Sequence, residues 1–231
     1  MASKTALITG ASSGIGRATA EALARQGWQV TGVARRFESP AEGLHQVFEL
    51  DLSELGGLSS SLKELQIEAP QTLVLNAGMG LFGGLEQMSE QQIRQTMDLN
   101  VVSNLLLLRY FLPKMKKLEQ ADIVLLGSEA ALAGAKQGAV YCASKFAVRG
   151  LAQSLRADCA QAGIRVMLVN PGPTDTAFFD DLHFEPQEND ACVLHAEDVA
   201  SAIVAALNAP RHVVHDEINL QPLHRAFQSK K

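Results

Sequence analysis

The sequence is poor in the residues that staple a fold, span a bilayer or grip nucleic acid. It has only three cysteines, Cys142, Cys159 and Cys192. An odd number without metal-ligand spacing argues against a disulfide framework and a zinc site, and for reduced thiols. Acidic residues outnumber basic ones, 25 to 20, for a net charge of −5. No basic stripe appears, which argues against a nucleic-acid surface. The longest apolar runs, LLLL at 105–108 and IVLL at 123–126, are far too short to cross a bilayer. MASKTALITG runs straight into a strand-like segment, with no charged leader, apolar stretch and cleavage site. The expectation is a soluble cytoplasmic protein with neither a nucleic-acid nor a membrane partner.

Apolar residues are plentiful. They make up 47% of 231 residues, enough for a sizeable core, and a doubly wound α/β domain often reaches this length as one unit. Short apolar runs alternate with helical patterns. TALIT (5–9), WQVTGVA (28–34), VFELDL (47–52), TLVLN (72–76), DIVLLGS (122–128), IRVMLVN (164–170) and VVHDEINL (213–220) read as strands. Residues 14–26, 54–66, 140–162 and 196–207 read as helices, with Gly27 and Gly163 as stops. Ser89 and Gln92 make a capping box for a helix running toward Lys116, with Pro113 marking its last turns. Near-continuous apolar strands suit a parallel sheet covered by helices on both faces. No linker or repeat interrupts the chain, so one domain over 1–231 is expected.

Two stretches carry chemistry. TGASSGIG at 9–16 lies between the first strand and its helix. Gly10 suits the tight turn, Gly14 a close approach of phosphate to backbone, and Gly16 close helix–strand packing, while the helix N-terminus offers free N–H groups to a pyrophosphate. The spacing is G-x-x-x-G-x-G, and a ligand-free glycine turn is the alternative. The second stretch is YCASK at 141–145, a tyrosine and a lysine one helical turn apart. YFLPK at 110–114 has the same spacing, and the chain has only two tyrosines. Spacing alone therefore does not choose between them.

The glycine loop, LDL at 50–52, NAG at 76–78, LNVV at 99–102, GS at 127–128, YCASK and NPGPTDT at 170–176 together resemble the short-chain dehydrogenase/reductase family, in that family's order and over nearly the whole chain. The resemblance implies a three-layer, doubly wound Rossmann fold with a mostly parallel sheet of about seven strands and helices on both faces. It also implies a catalytic serine about a dozen residues before the tyrosine. Ser128 lies 13 residues before Tyr141, whereas Tyr110 has Met97 at that distance. Tyr141, Lys145 and Ser128 are thereby the catalytic candidates. Asn100 matches an asparagine that helps hold a proton-relay water, with helix-kinking or buried polar structure as the alternative. Tyr110 is expected to be a packing aromatic.

The implied reaction is hydride transfer between a nicotinamide cofactor and a carbonyl or alcohol, with Tyr141 as proton donor. A tyrosine has a pKa near 10, and a neighbouring Lys145 cation is expected to lower it. By resemblance Lys145 also holds the nicotinamide ribose, and Ser128 donates to the substrate oxygen. The cofactor contacts implied are Gly10, Ser12, Ser13, Gly14, Ile15 and Gly16 at the phosphates. Asp51 and Leu52 fall at the adenine, with a capping role as the alternative for Asp51. Asn76, Ala77 and Gly78 fall beside the adenosine ribose, and Pro171, Gly172, Thr174 and Thr176 at the nicotinamide. Arg35 and Arg36 stand at the end of the second strand, where a 2′-phosphate would lie, and favour NADP(H) over NAD(H).

The substrate pocket is expected between Met79, Leu81 and Phe82, residues 129–136, and a mobile lid over 177–195. That lid carries Phe178, Phe179, Leu182 and Phe184 and no lysine or arginine, which argues against an anionic substrate. The tail PLHRAFQSKK reads as a subunit contact or a frayed end. The resemblance implies a homodimer or homotetramer packed through the helices near 90–115 and 141–162. An NAD-linked alcohol dehydrogenase and a catalytically silent dinucleotide-binding regulator are the competing functions.

Overall fold

A computed structural model describes residues 3–39, 41–187 and 189–230. Seven strands form one parallel sheet. They are β1 (Thr5–Thr9), β2 (Gln29–Ala34), β3 (Gln46–Glu49), β4 (Thr72–Leu75), β5 (Ala121–Leu126), β6 (Ile164–Pro171) and β10 (Glu217–Leu220). Their spatial order is β10-β6-β5-β4-β1-β2-β3. Leu7 of β1 is flanked by Thr31 of β2 and Leu73 of β4. The chain leaves β1 toward one edge and returns at β4 toward the other, so a crevice opens between their C-terminal ends.

Both faces are covered, as the unbroken apolar strands require. On one side lie α1 (Gly14–Arg25) and α6 (Ala196–Asn208), whose Ala20, Leu23, Val199 and Ile203 pack with Ile8, Val74 and Val124. On the other lie α2 (Leu58–Glu64), α4 (Ser103–Met115) and α5 (Ala139–Cys159), packed on Leu7, Leu73, Ile123 and Val166. Helix α4 turns Leu107, Leu108, Phe111 and Met115 inward at helical spacing. All four are buried, and each contributes roughly 1.5–3 kcal/mol.

Several boundaries differ from the sequence expectation. The strand expected over 213–220 begins at Glu217, because the Val213 N–H closes a turn on the Pro210 carbonyl at 2.8 Å. Helix α2 starts only at Leu58, after Gly57 at φ +97°. The Ser89–Gln92 capping box forms and opens α3 (Glu90–Met97). The continuous helix expected from there is interrupted by a π-helical turn, Asp98–Val102, before α4, and α4 runs past Pro113 to Met115. Helix α5 ends in a short 3-10 turn, Ala160–Ala162, and Gly163 at φ +69° stops it.

The described residues of the lid expected over 177–195 include a 3-10 turn, Ala177–Phe179, and two short strands. Its ends are tied where β7 (Thr174–Asp175) pairs in parallel with β9 (Leu194–His195). The described part of the tail, through Lys230, is paired rather than frayed. Its strand β11 (Phe227–Ser229) pairs antiparallel with β8 (Phe184–Pro186) inside the lid. Among the described residues no helix is long and apolar enough to cross a membrane.

Candidate active site

The inward stripe of α5 decides which tyrosine matters. Tyr141, Lys145, Val148, Ala152, Leu155 and Cys159 recur at helical spacing and are all buried. The last four enter the core. The first two emerge beyond the sheet's C-terminal edge, beside Ser128 at the end of β5. Tyr110 instead packs on α2, its hydroxyl donating to the Leu62 carbonyl at 3.3 Å and its ring lying under Lys114.

Lys145 Nζ donates to the Leu126 carbonyl at 3.0 Å and stands 5.8 Å from the Tyr141 ring centroid. Burial alone pushes its pKa down to about 8. Burial pushes the Tyr141 phenol up to about 12. The Ser128 hydroxyl opposes this, while Cys142 and the Glu129 carboxylate add to it. The expected lowering of the phenol by the lysine is therefore absent here. The lysine donates to a carbonyl, and burial is the largest cause of the phenol's shift. What results is a neutral phenol that holds a proton at neutral pH.

Asn100 lies in the π turn, a distortion frequent at functional sites. Its Oδ1 accepts the Met79 N–H at 2.8 Å, and its Nδ2 donates to the Met79 carbonyl at 2.9 Å and to Ser144 Oγ at 3.0 Å. The side chain thus clamps the loop after β4 onto α5, one residue before Lys145.

The glycine loop is cradled tightly. Gly10 has φ +68°, and a Cβ on Gly16 would stand 2.2 Å from the Gly10 carbonyl oxygen. Helix α1 starts at Gly14 with no side-chain cap and no acidic residue in its first turn, so its N–H groups are free for an anion. The residues fit a dinucleotide pyrophosphate. Ser12, Ser13 and Ile15 line this turn, Ser13 exposed and Ile15 leaning on α6. Asn76 Nδ2 donates to the Thr9 and Gly10 carbonyls at 3.0 and 3.3 Å, and the Asn76 and Ala77 N–H groups both donate to Thr9 Oγ1 at 3.0 Å. Asn76 therefore builds the crevice, and Gly78 stands exposed at its mouth.

Arg35 and Arg36 follow β2 directly, both exposed. Asp51 accepts Ser53 N–H and Oγ–H at 2.9 and 2.6 Å. Its partial burial raises its pKa, but these bonds and the Arg35 charge outweigh that and hold it below the usual value. It closes a turn well before α2, so it does not cap that helix. The Leu52 side chain lies in the core. Pro171 ends β6, and Thr174 Oγ1 donates to the Gly172 carbonyl at 3.0 Å. Thr176 caps the lid's first turn by accepting the Phe178 N–H at 3.3 Å, and its methyl lies against Gly14. The loop after β6 therefore meets the glycine loop.

Two contributors escaped the sequence reading. Thr9 Oγ1 holds the loop after β4, and Asn170 holds Ser128. Both stand in quoted motifs, but only the strand order β6-β5-β4-β1 reveals what they touch.

A family model described as short chain dehydrogenase matches residues 4–186. The chain is 32% identical over 203 residues to human 17-beta-hydroxysteroid dehydrogenase type 1, covering 81% of this chain and 62% of that protein. It is 30% identical to an uncharacterized oxidoreductase of Staphylococcus epidermidis, covering 95% and 97%. The structure of an alcohol dehydrogenase from Thermococcus sibiricus, complexed with 5-hydroxy-NADP, superposes with a TM-score of 0.84 at 26% identity, covering 96% and 98%.

Proposed function

The chain belongs to the short-chain dehydrogenase family, and within it we propose an NADP(H)-dependent oxidoreductase that reduces an aldehyde or ketone to an alcohol, or runs the reverse. The observation that carries this reading is the burial of Ser128, Tyr141 and Lys145 together at the crevice where the free N-terminus of α1 opens. NADP(H), when bound, supplies or accepts the hydride. Tyr141, protonated at neutral pH, gives its proton to the substrate oxygen as charge develops there. The Ser128 hydroxyl donates a second hydrogen bond to that oxygen. Lys145, whose pKa burial lowers to about 8, stands 5.8 Å from the Tyr141 ring and helps return the proton to Tyr141.

Arg35 and Arg36 support NADP(H), since guanidinium matches phosphate in shape and charge. The relative from Thermococcus sibiricus, solved with 5-hydroxy-NADP, supports the same choice. Three buried, unpaired cysteines suit a reducing cytoplasm. Exposed Leu105 and Phe146 on α4 and α5 suit a homodimer or homotetramer. The whole chain acts as one catalytic unit.

The test follows nicotinamide absorbance with NADPH, and separately NADH, across aldehydes, ketones, diketones, quinones and 3-oxo esters, with Tyr141→Phe beside the wild type. Turnover with NADPH that vanishes in Tyr141→Phe is expected. Full activity in that variant would remove Tyr141 from the mechanism. Tight cofactor binding without any turnover would favour the silent regulator.

A further inference from the structure

The tail is strapped to the lid at several points. Strand β11 sets Phe227, Gln228 and Ser229 opposite Pro186, Glu185 and Phe184. The Gln187 N–H donates to the Ala226 carbonyl at 3.1 Å, and the Lys230 N–H to the His183 carbonyl at 3.0 Å. Lys230 Nζ donates to the carbonyls of Phe179 and Asp180. At its other end Arg225 bonds Glu129 Oε1 at 2.9 and 3.2 Å, and Glu129 follows Ser128 directly. The tail thus joins the loop after β5 to the lid.

Under this strap the rings form a continuous wall that ends on Tyr141. Phe227 meets Phe184 at 5.6 Å between centroids, Phe184 meets Phe82 at 5.0 Å, and Phe82 meets Tyr141 at 5.1 Å. Phe178 meets Tyr141 at 5.6 Å from the other side, with Phe179 behind it at 5.2 Å. The two cations of the strap are already engaged, Arg225 with Glu129 and Lys230 with backbone carbonyls. Such a wall desolvates a carboxylate without a partner, and it stacks well on a flat uncharged group.

We propose that residues 224–230 form a substrate-specificity element of the reductase. They hold the aromatic wall over Tyr141, and the site takes uncharged carbonyl compounds bearing an aromatic or alkyl group beside the carbonyl. The proposal rests on the carbonyl-reductase reading for its substrate class alone. Tyr141 is only 7% exposed, so the rings must part to admit substrate. A three-residue strand pair with Phe227 at 37% exposure is weak enough to open locally.

Three probes separate the terms: 1-phenyl-1,2-propanedione, small neutral 2,3-butanedione, and anionic phenylglyoxylate. The wild type is expected to favour the phenyl dione over phenylglyoxylate by about a hundredfold in kcat/KM. Phe227→Ala is expected to raise KM for the phenyl dione about tenfold with kcat nearly constant, and to leave butanedione within about twofold. Lys230→Ala is expected to speed amide exchange at 183–187 at least about tenfold. Preference for phenylglyoxylate, or equal KM effects on both diketones, would overturn the substrate class. Unchanged exchange in Lys230→Ala would overturn the strap. If the wild type reduces none of the probes or any other carbonyl, the reductase reading fails. Exchange at 183–187 still decides the strap, faster exchange supporting it and unchanged exchange refuting it.

Discussion

Asn170 Oδ1 accepts the backbone N–H of Ser128 at 3.3 Å, so a side chain on β6 fixes the serine that follows β5. The contact is made possible by Gly127, where a Cβ would lie 1.9 Å from that oxygen. Asn170 Nδ2 is spent on Glu217 and Asn219, both at 2.9 Å, and Glu217 pairs with Arg149 at 2.8 Å. Asn170 is wholly buried. Asn170→Ala is expected to lower kcat about ten- to a hundredfold, since a misplacement of about 1 Å at a reacting group costs that much. The affinity for NADPH, read by fluorescence titration, is expected to hold. Unfolding in urea is expected to show a loss of about 1–3 kcal/mol for the orphaned groups. An unchanged kcat would mean that Ser128 keeps its place without β6.

The buried pair makes stability depend on pH in a definite sense. Lys145 titrates near 8 in the folded chain against 10.5 when unfolded. Between those values the unfolded chain carries the extra proton, so stability rises with pH by about 1.4 kcal/mol per unit. Tyr141 titrates near 12 against 10.0. Its contribution is present below 10 and is lost as pH rises toward 12. The lysine effect therefore stands alone between about pH 8 and 10. The stability of the wild type relative to Lys145→Met is expected to grow by about 2 kcal/mol between about pH 7.5 and 9.5, measured by urea unfolding. A constant difference would show that Lys145 ionises ordinarily.

At the opposite edge of the sheet a buried ion cluster locks β5 to β6. Arg165 grips Asp122 with two bonds of 2.7 and 3.1 Å, and Arg211 adds a third at 2.7 Å. Arg165 also donates to the Leu207 and Ala209 carbonyls at 2.9 and 3.0 Å, which ties the end of α6 to the sheet. Asp122→Ala leaves the Arg165 cation buried without its anion. The expected cost is about 3–5 kcal/mol, read from urea midpoints, with kcat/KM unchanged well below the melting temperature. A loss under about 1 kcal/mol would mean that water replaces the carboxylate.

The sheet and the helix faces were legible because each strand is an unbroken apolar run and each helix keeps a single inward stripe. The stripe of α5 carries Tyr141 and Lys145 to the crevice. Three things were not legible. The π form of the kink at Asp98–Val102 has no local breaker, since DLNVV contains neither glycine nor proline, and it coincides with the grip of Asn100 on Met79. Strand β10 is shorter than its apolar run, because a turn at Pro210 consumes Val213. The pairing of the tail with the lid joins residues more than 40 positions apart, and short strands carry too weak a pattern to announce their partner. The phenol's pKa also ran opposite to expectation. Sequence shows that a lysine is near, but not that burial raises the phenol.

The proposed preference for NADP(H) rests on two exposed side chains. Arg35 lies close enough to help hold Asp51 in its charged form, which places its positive field over the end of β2. Position 35 has no carboxylate to accept a ribose hydroxyl, and the nearby Glu49 is engaged by the Phe37 N–H at 3.0 Å. A phosphate there would gain charge-assisted bonds worth roughly 1.5–3 kcal/mol. Arg35→Asp is expected to lower kcat/KM for NADPH about ten- to a hundredfold and to leave or improve that for NADH, because a carboxylate repels phosphate and accepts from a hydroxyl. Arg36→Ala is expected to give the smaller loss. Equal losses for both cofactors would assign Arg35 to the adenosine as a whole. A wild type that already prefers NADH would remove the phosphate from this site.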